Sequence, residues 1–402
     1  MSELAPRERA VAAVTLLFAR AVYAYTWYDI GGVLPLVGER LQAGTFALGV
    51  VLAGFLVGAA VFQLPAGYAA MRFGNRTTSI AALAVMGTFS LASAASPSWE
   101  VLTLLRFGAG GGAAFFFAPG MGLVTSYYPA GHRGVMIGGY NSAFSVGSAV
   151  GLFASAYLGP TYGWAFPLAI GGVLLLAGAI VSAVLLPATA PPRPGSAREL
   201  WRASQPALRS RQLWAIALGG SGLWGGFYIA GQYFVSYAHA IHPAWALALA
   251  AAAPTLMIVV EVTGGPIGGW LGERSADRRR ILLAWGLAAG LLLAAVPFLS
   301  LAEVLFAFAV LGFSEGVTFA LLYLIPTYIP ELAGNLFALG LAFENFVQIL
   351  LGSALALGFA LVASTVGYTY AWLFAGVSTV AFLPAVAYAS PRRPDERRGV
   401  SS

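Results

Sequence analysis

Six ionisable side chains stand inside stretches that are otherwise apolar: Arg20, Asp29, Arg106, Glu261, Glu315 and Glu344. A charge at the centre of a bilayer costs roughly 2.5–3.5 kcal/mol even on the gentler insertion scale, so such groups face a wet cavity or one another. Two chemistries follow from the residue types. A buried guanidinium binds an anionic or strongly polar solute through charge-assisted hydrogen bonds. A carboxyl group in low dielectric exchanges a proton near working pH. Apart from Asp29, the signs are segregated, with Arg20 and Arg106 in the first half of the chain and the three Glu in the second. The competing reading is structural: pairs across helices that only hold the elements in register.

Helical geometry sorts these residues by face. Arg20 shares a face with Tyr23 at i+3 and Trp27 at i+7. Asp29, nine residues on, falls about 180° round and roughly 13 Å further along, near the outer end of its helix where solvent reaches it. Arg106 looks over Gly110 and Ala113, which leaves open space beside its guanidinium. Ser221, Trp224, Tyr228 and Gln232 form one polar-aromatic stripe, which ordinary packing would explain equally well. Glu315 has Thr318 and Phe319 on its face, and Glu344 has Gln348 one turn on.

The elements that carry these residues must cross a membrane. The chain is 59% hydrophobic and 9% charged, against roughly a quarter charged in a soluble domain. The runs Gly134–Pro192 and Gln212–Val260 carry no Asp, Glu, Lys or Arg and far exceed the roughly 20 residues that a bilayer core requires. They are too long and too continuous for the strands of an outer-membrane barrel. Twelve spans are predicted, near 10–36, 45–70, 77–95, 99–127, 134–158, 162–186, 212–238, 243–271, 280–299, 303–328, 335–362 and 369–389. Residues 1–186 and 212–402 are the two six-helix halves, and 187–211, rich in Pro, Arg and Ser, reads as a solvated linker. The first span reads as retained rather than as a cleaved signal.

The net charge of +6 does not point to nucleic acid, because the Arg positions alternate between loops and there is no Lys. Of the 21 Arg, 18 fall in the tails, the linker and the loops on one side, and only Arg40 on the other. That bias predicts both termini in the cytoplasm of a cell inner or plasma membrane. The absence of Cys excludes disulfides and thiol catalysis. Without Lys no phosphate-binding Gly-Lys-Ser/Thr loop exists, so a nucleotide-driven pump is excluded. No nucleophile elbow, zinc-protease or kinase motif is present. His132, His239 and His242 lie in or beside loops and offer too few ligands for a metal. No cofactor and no enzyme activity are expected.

Two short loops about two hundred residues apart carry the same punctuation. Gly67, Arg72, Gly74 and Arg76 in the first are echoed by Gly269, Glu273, Arg274 and Arg278 in the second. The Tyr-x-Pro at Tyr127–Pro129 recurs at Tyr328–Pro330, and Gly147-Ser148-Ala149 recurs as Gly352-Ser353-Ala354. Six spans per half make this a parallel repeat related by an axis along the membrane normal, with substrate sites near the midplane between repeats.

On these loops, the stretch Arg106-Phe107-Gly108-Ala109-Gly110 and the Gly-rich fifth span, the chain resembles the major facilitator superfamily over nearly its whole length. The resemblance implies an all-α integral membrane fold of twelve transmembrane helices in two six-helix bundles. It further implies that spans 1, 4, 7 and 10 line a central cavity and that the bundles rock to give alternating access. Spans 8 and 11, with Glu261 and Glu344, then lie beside the cavity. The family keeps an Arg at the Arg106 position for proton relay or helix packing in many members. Its antiporter motif is followed in span 5 up to Gly151, where Leu152 replaces the expected Pro. Its loop pattern places an acid before the Arg that helps latch the cytoplasmic side. Glu273 supplies that acid and Met71 does not, so an asymmetric gate is expected.

The expectation is a secondary active transporter, monomeric in the lipid bilayer, that moves a small polar solute, best an organic anion, with protons. Arg20, Tyr23, Trp27, Arg106, Trp224, Tyr228, Gln232 and Glu315 are the candidate substrate residues. Glu315, Glu261, Glu344 and Asp29 are the candidates for proton coupling, and the loop residues above for gating. The alternatives are an exporter of hydrophobic or cationic compounds, an uncoupled uniporter, and a non-transporting receptor.

Overall fold

Pro6 opens the first long helix, Pro6–Tyr28, where its fixed φ fits and its missing N–H loses no bond. Glu8 accepts the Ala5 N–H at 3.1 Å, which satisfies one of the donors every helix start leaves open. The computed structural model describes residues 5–128, 130–188, 208–275, 277–329 and 336–388, with positions 202 and 205. Most of the predicted linker, and the Pro129 and Pro330 of the repeated Tyr-x-Pro, lie outside the described residues.

Among the described residues every element is helical. After a turn at Gly31–Val33 the first span continues as Leu34–Leu41. Thr45–Val61 and Gln63–Phe73 follow, bent by 45° at Phe62. Next come Asn75–Ser93, Trp99–Tyr127, Ala130–Tyr162 and Ala165–Leu185. The second half runs through Arg211–Ile241, Leu247–Arg274, Arg278–Ala295, Leu301–Leu324, Leu336–Thr365 and Tyr368–Phe382. Ten helical stretches are individually long and apolar enough to cross a membrane, and an eleventh is gained if the bent pair is one span. Asn75–Ser93 falls short because it opens on Asn75-Arg76-Thr77-Thr78-Ser79.

The chain forms two compact units, Met1–Ala197 with Gly231–Ile258, and Arg198–Ala230 with Val259–Ser402. Small residues set the packing inside each, as expected where helices associate by close backbone approach. In the first unit a Cβ on Gly110 would run into the Phe55 carbonyl, and one on Gly147 or Gly151 into the carbonyl of Ala21 or Tyr25. In the second, a Cβ on Gly316 would meet the Glu261 carbonyl and lie 2.6 Å from the Gly265 nitrogen. Gly110→Ala is therefore expected to lower the unfolding midpoint by an amount equivalent to roughly 1–3 kcal/mol of overpacking. Gly138→Ala, whose Cβ would find nothing within 4 Å, is expected to leave it unchanged; equal midpoints for the two variants in detergent melts would refute this.

Candidate functional site

In the first unit Arg20 sits one turn inside helix Pro6–Tyr28 from Tyr23, 4% exposed. Its guanidinium carbon lies 4.8 Å from the ring centre of Tyr23, 5.2 Å from Phe117, 4.7 Å from Tyr140 and 4.6 Å from Phe144. These rings come from three helices. Each cation–π contact is worth about 0.5–2 kcal/mol, which helps to hold a charge that has left water. No carboxylate among the described residues pairs with it, and its Nε and Nη1 have no hydrogen-bond partner. The aromatic wall continues through Trp27, 6.0 Å from Tyr23 and 4.9 Å from Phe55. Tyr23 and Trp27 thus join Arg20 as the helical spacing predicts. Tyr140, Phe117 and Phe144 were not foreseen; the signal was the i+4 pair Tyr140 and Phe144 on a Gly-rich helix.

Arg106 lies elsewhere in the same unit. Its Nη1 meets Asp29 Oδ1 at 3.2 Å with both side chains fully buried, and its Nη2 donates to the Thr26 carbonyl at 3.2 Å. The Phe55 ring covers the guanidinium at 4.6 Å. Two expectations are corrected here. Asp29 is not solvated at an outer end, because the helical path continues through Gly31–Val33 to Leu41, a stretch of 36 residues that buries it midway. The space over Gly110 is not open to the guanidinium, since the Phe55 backbone takes it. Gln232, fully buried, donates to the Trp27 carbonyl at 2.9 Å, while its Oε1 has no partner.

The second unit holds the acids. Glu315, 9% exposed, has an Oε2 without a partner. The close crossing at Gly264 and Gly316 sets the backbone carbonyl of Glu261 against the helix turn that carries Glu315. Adjacent carboxylates in an apolar wall repel and cannot both stay ionised cheaply. Trp224 and Tyr228 stack at 5.4 Å and 9°, and Ser221 donates to Ala217 within its own helix at 2.7 Å. Glu344 is fully buried and accepts from Gln348 Nε2 at 2.9 Å.

The two echoed loops differ in detail. Gly74 ends its helix at φ 83°, a region that favours glycine. Arg76 Nε donates to the Leu186 carbonyl at 3.0 Å, and its Nη2 to Ala183, so a cation closes the last turn of helix Ala165–Leu185. In the second unit the matching contact is made by Arg279, to the Ala387 carbonyl at 3.1 Å. The sequence echo pairs Arg76 with Arg278 instead, and Arg278 is fully buried. Arg72 and Glu273 are exposed, Arg274 lies 4.4 Å over the Trp270 ring, and neither Gly67 nor Gly269 has anything within 4 Å of a would-be Cβ.

A model of the Major Facilitator Superfamily matches residues 16–352. The 4-hydroxybenzoate transporter PcaK of Pseudomonas putida is 34% identical over 161 residues, 40% of this chain and 36% of that protein. The gallate transporter of the same organism is 29% identical over 165 residues, 40% of this chain and 37% of that protein. The matched stretch thus spans only about a third of the length of these curated relatives. The crystal structure of a D-xylose-proton symporter superposes with a TM-score of 0.74 over 96% of this chain and 99% of that one, at 15% identity. That likeness carries the fold: twelve helices in two six-helix bundles.

Proposed function

Because the chain belongs to the Major Facilitator Superfamily, a family of membrane transporters and not of enzymes, we propose that it carries a small organic acid, aromatic in its simplest form, together with protons. The observation that supports this most is Arg20: a buried cation with two N–H groups unpartnered and four rings around it. A carboxylate is the natural acceptor for such a fork, and Tyr23, Trp27 and Phe144 offer faces on which a substrate ring packs. The relatives named for 4-hydroxybenzoate and gallate are named for aromatic acids of this kind. Tyr228, Trp224, Gln232 and Glu315 complete the proposed substrate set. Arg106 is better suited to holding Asp29.

Coupling is assigned to Glu261 and Glu315, which carry one proton between them when loaded and release it to the cytoplasm. The Arg bias supports a cytoplasmic side that holds both termini, with residues 1–186 and 212–402 as the proposed working halves and the two Arg-bearing loops as the proposed gate. The test is uptake into proteoliposomes of 4-hydroxybenzoate, a neutral sugar and a quaternary ammonium ion, with and without an inward proton gradient. Acid uptake stimulated by the gradient is expected; preference for the cation would favour export of cationic compounds and end this reading. In Glu315→Gln the accumulation ratio is expected to fall to about 1, while exchange of labelled for unlabelled acid persists. Undiminished accumulation in that variant would remove Glu315 from coupling.

A further inference from the structure

Helix Leu336–Thr365 carries a second, separate acid. Glu344 and Gln348 are both fully buried one turn apart, and Gln348 Nε2 donates to Glu344 Oε1 at 2.9 Å. Two atoms are left over, Glu344 Oε2 and Gln348 Oε1, and neither has a partner. Both are acceptors if the acid is ionised, so neither can satisfy the other. One hydrogen atom on Oε2 removes the conflict, because a carboxylic acid and a primary amide then match donor to acceptor twice.

The surroundings support an uncharged pair. Gly220 of helix Arg211–Ile241 has no side chain where Gln348 Nε2 sits, so the amide occupies the place a Cβ would take. The neighbouring Asn345 is already engaged, accepting from the Tyr323 hydroxyl at 3.3 Å. The other charged side chains among the described residues of this unit are Arg202, Arg209, Arg211, Glu261, Glu273, Arg274, Asp277, Arg278, Arg279, Arg280, Glu303 and Glu315. None of them makes an ion pair with Glu344. An ionised Glu344 would be a buried charge without a counter-charge, which proteins avoid by neutralising the group.

We propose that Glu344 and Gln348 form a proton-binding site distinct from the Glu261–Glu315 pair. In it the Glu344 carboxyl donates from Oε2 to Gln348 Oε1 and closes a two-bond acid–amide ring with the bond already seen. The proton is a resident of the fold, held without a cation.

The test uses the full-length protein in lipid nanodiscs. The infrared difference between wild type and Glu344→Gln is expected to show a protonated-carboxyl carbonyl band in the wild type that shifts in D2O and is lost in the variant. Identical spectra in that region would overturn the site. Thermal melts supply the second readout. A native state that holds one proton more than the unfolded chain loses stability as pH rises, so the wild-type midpoint falls from mildly acidic to mildly alkaline buffer. Glu344→Gln, which keeps an uncharged pair, is expected to make that slope shallower by the share of one proton, leaving the part that the Glu261–Glu315 pair supplies. Gln348→Leu removes both bonds that favour the neutral carboxyl, lowers its proton affinity and is expected to make the slope shallower. A midpoint raised by sodium rather than by protons would assign the site to a metal ion and overturn the proposal. Neither readout involves transport, so failure of the uptake reading leaves this test intact.

Discussion

Replacing Arg20 by Met is expected to abolish acid uptake while making the protein no easier, and even harder, to unfold. The two effects separate because Arg20 is buried without an anionic partner. A hydrogen bond to a charged group contributes roughly 1.5–3 kcal/mol, and a carboxylate on two N–H groups gains two of them. Loss of one such bond corresponds to about a tenfold to hundredfold drop in kcat/KM, and loss of both to more. In the unliganded protein the same N–H groups are desolvated with no compensation, so an apolar side chain of similar length relieves that cost. Buried ionic groups exchanged for well-packed apolar ones often gain about 1–4 kcal/mol. The four cation–π contacts offset part of this. Arg20→Lys keeps the charge but loses the planar fork, so uptake falls with weaker binding and recovers at high substrate. The measurements are labelled-acid uptake in proteoliposomes and unfolding midpoints in detergent. Uptake preserved in Arg20→Met, or a midpoint far below wild type, would make Arg20 a structural tie to Tyr23 and Tyr140.

The architecture was readable because membrane spans announce themselves: long charge-free runs leave few alternatives, and the repeated loops set the period. Faces were readable as well. The i+3 and i+7 spacing placed Tyr23 and Trp27 with Arg20, and the i+4 spacing stacked Trp224 on Tyr228. Neighbours on other helices were not, because periodicity says which residues share a face and nothing about what that face meets. Tyr140 and Phe117 reach Arg20 from two further helices, and Phe55 fills the space that Gly110 was expected to leave beside Arg106. Asp29 was misplaced for a different reason. With the span read as ending near residue 36, Asp29 fell at its outer end, whereas the helical path runs on through the turn at Gly31–Val33 to Leu41 and the side chain is fully buried. The gate residues show the same limit: the echo aligned Arg76 with Arg278, but the cap on the far helix end is made by Arg279.

Breaking the Asp29–Arg106 pair is expected to have the largest effect on stability of any single change, and an unequal one. The pair is fully buried, with a 3.2 Å contact and one further bond from Arg106 to Thr26. Removing one partner of such a pair strands the other, at a cost of about 3–5 kcal/mol. The two partners differ in how they escape. In Asp29→Leu the Arg106 guanidinium keeps its charge, because it does not deprotonate in proteins, and only the Phe55 face and the Thr26 carbonyl remain to hold it. In Arg106→Met the stranded carboxyl takes up a proton and becomes neutral, so the loss is smaller, on the order of 1–3 kcal/mol for an imperfectly satisfied group. The double variant leaves no charge behind and is expected to unfold later than Asp29→Leu alone, a coupling that a double-mutant cycle on unfolding midpoints reads directly. Lowering the pH distinguishes the singles further: it stabilises Arg106→Met, whose Asp29 binds its proton more readily, and does nothing for Asp29→Leu. If the double variant were instead as unstable as the sum of the singles, the two residues would act independently, and the pair would not be what holds this part of the first unit together.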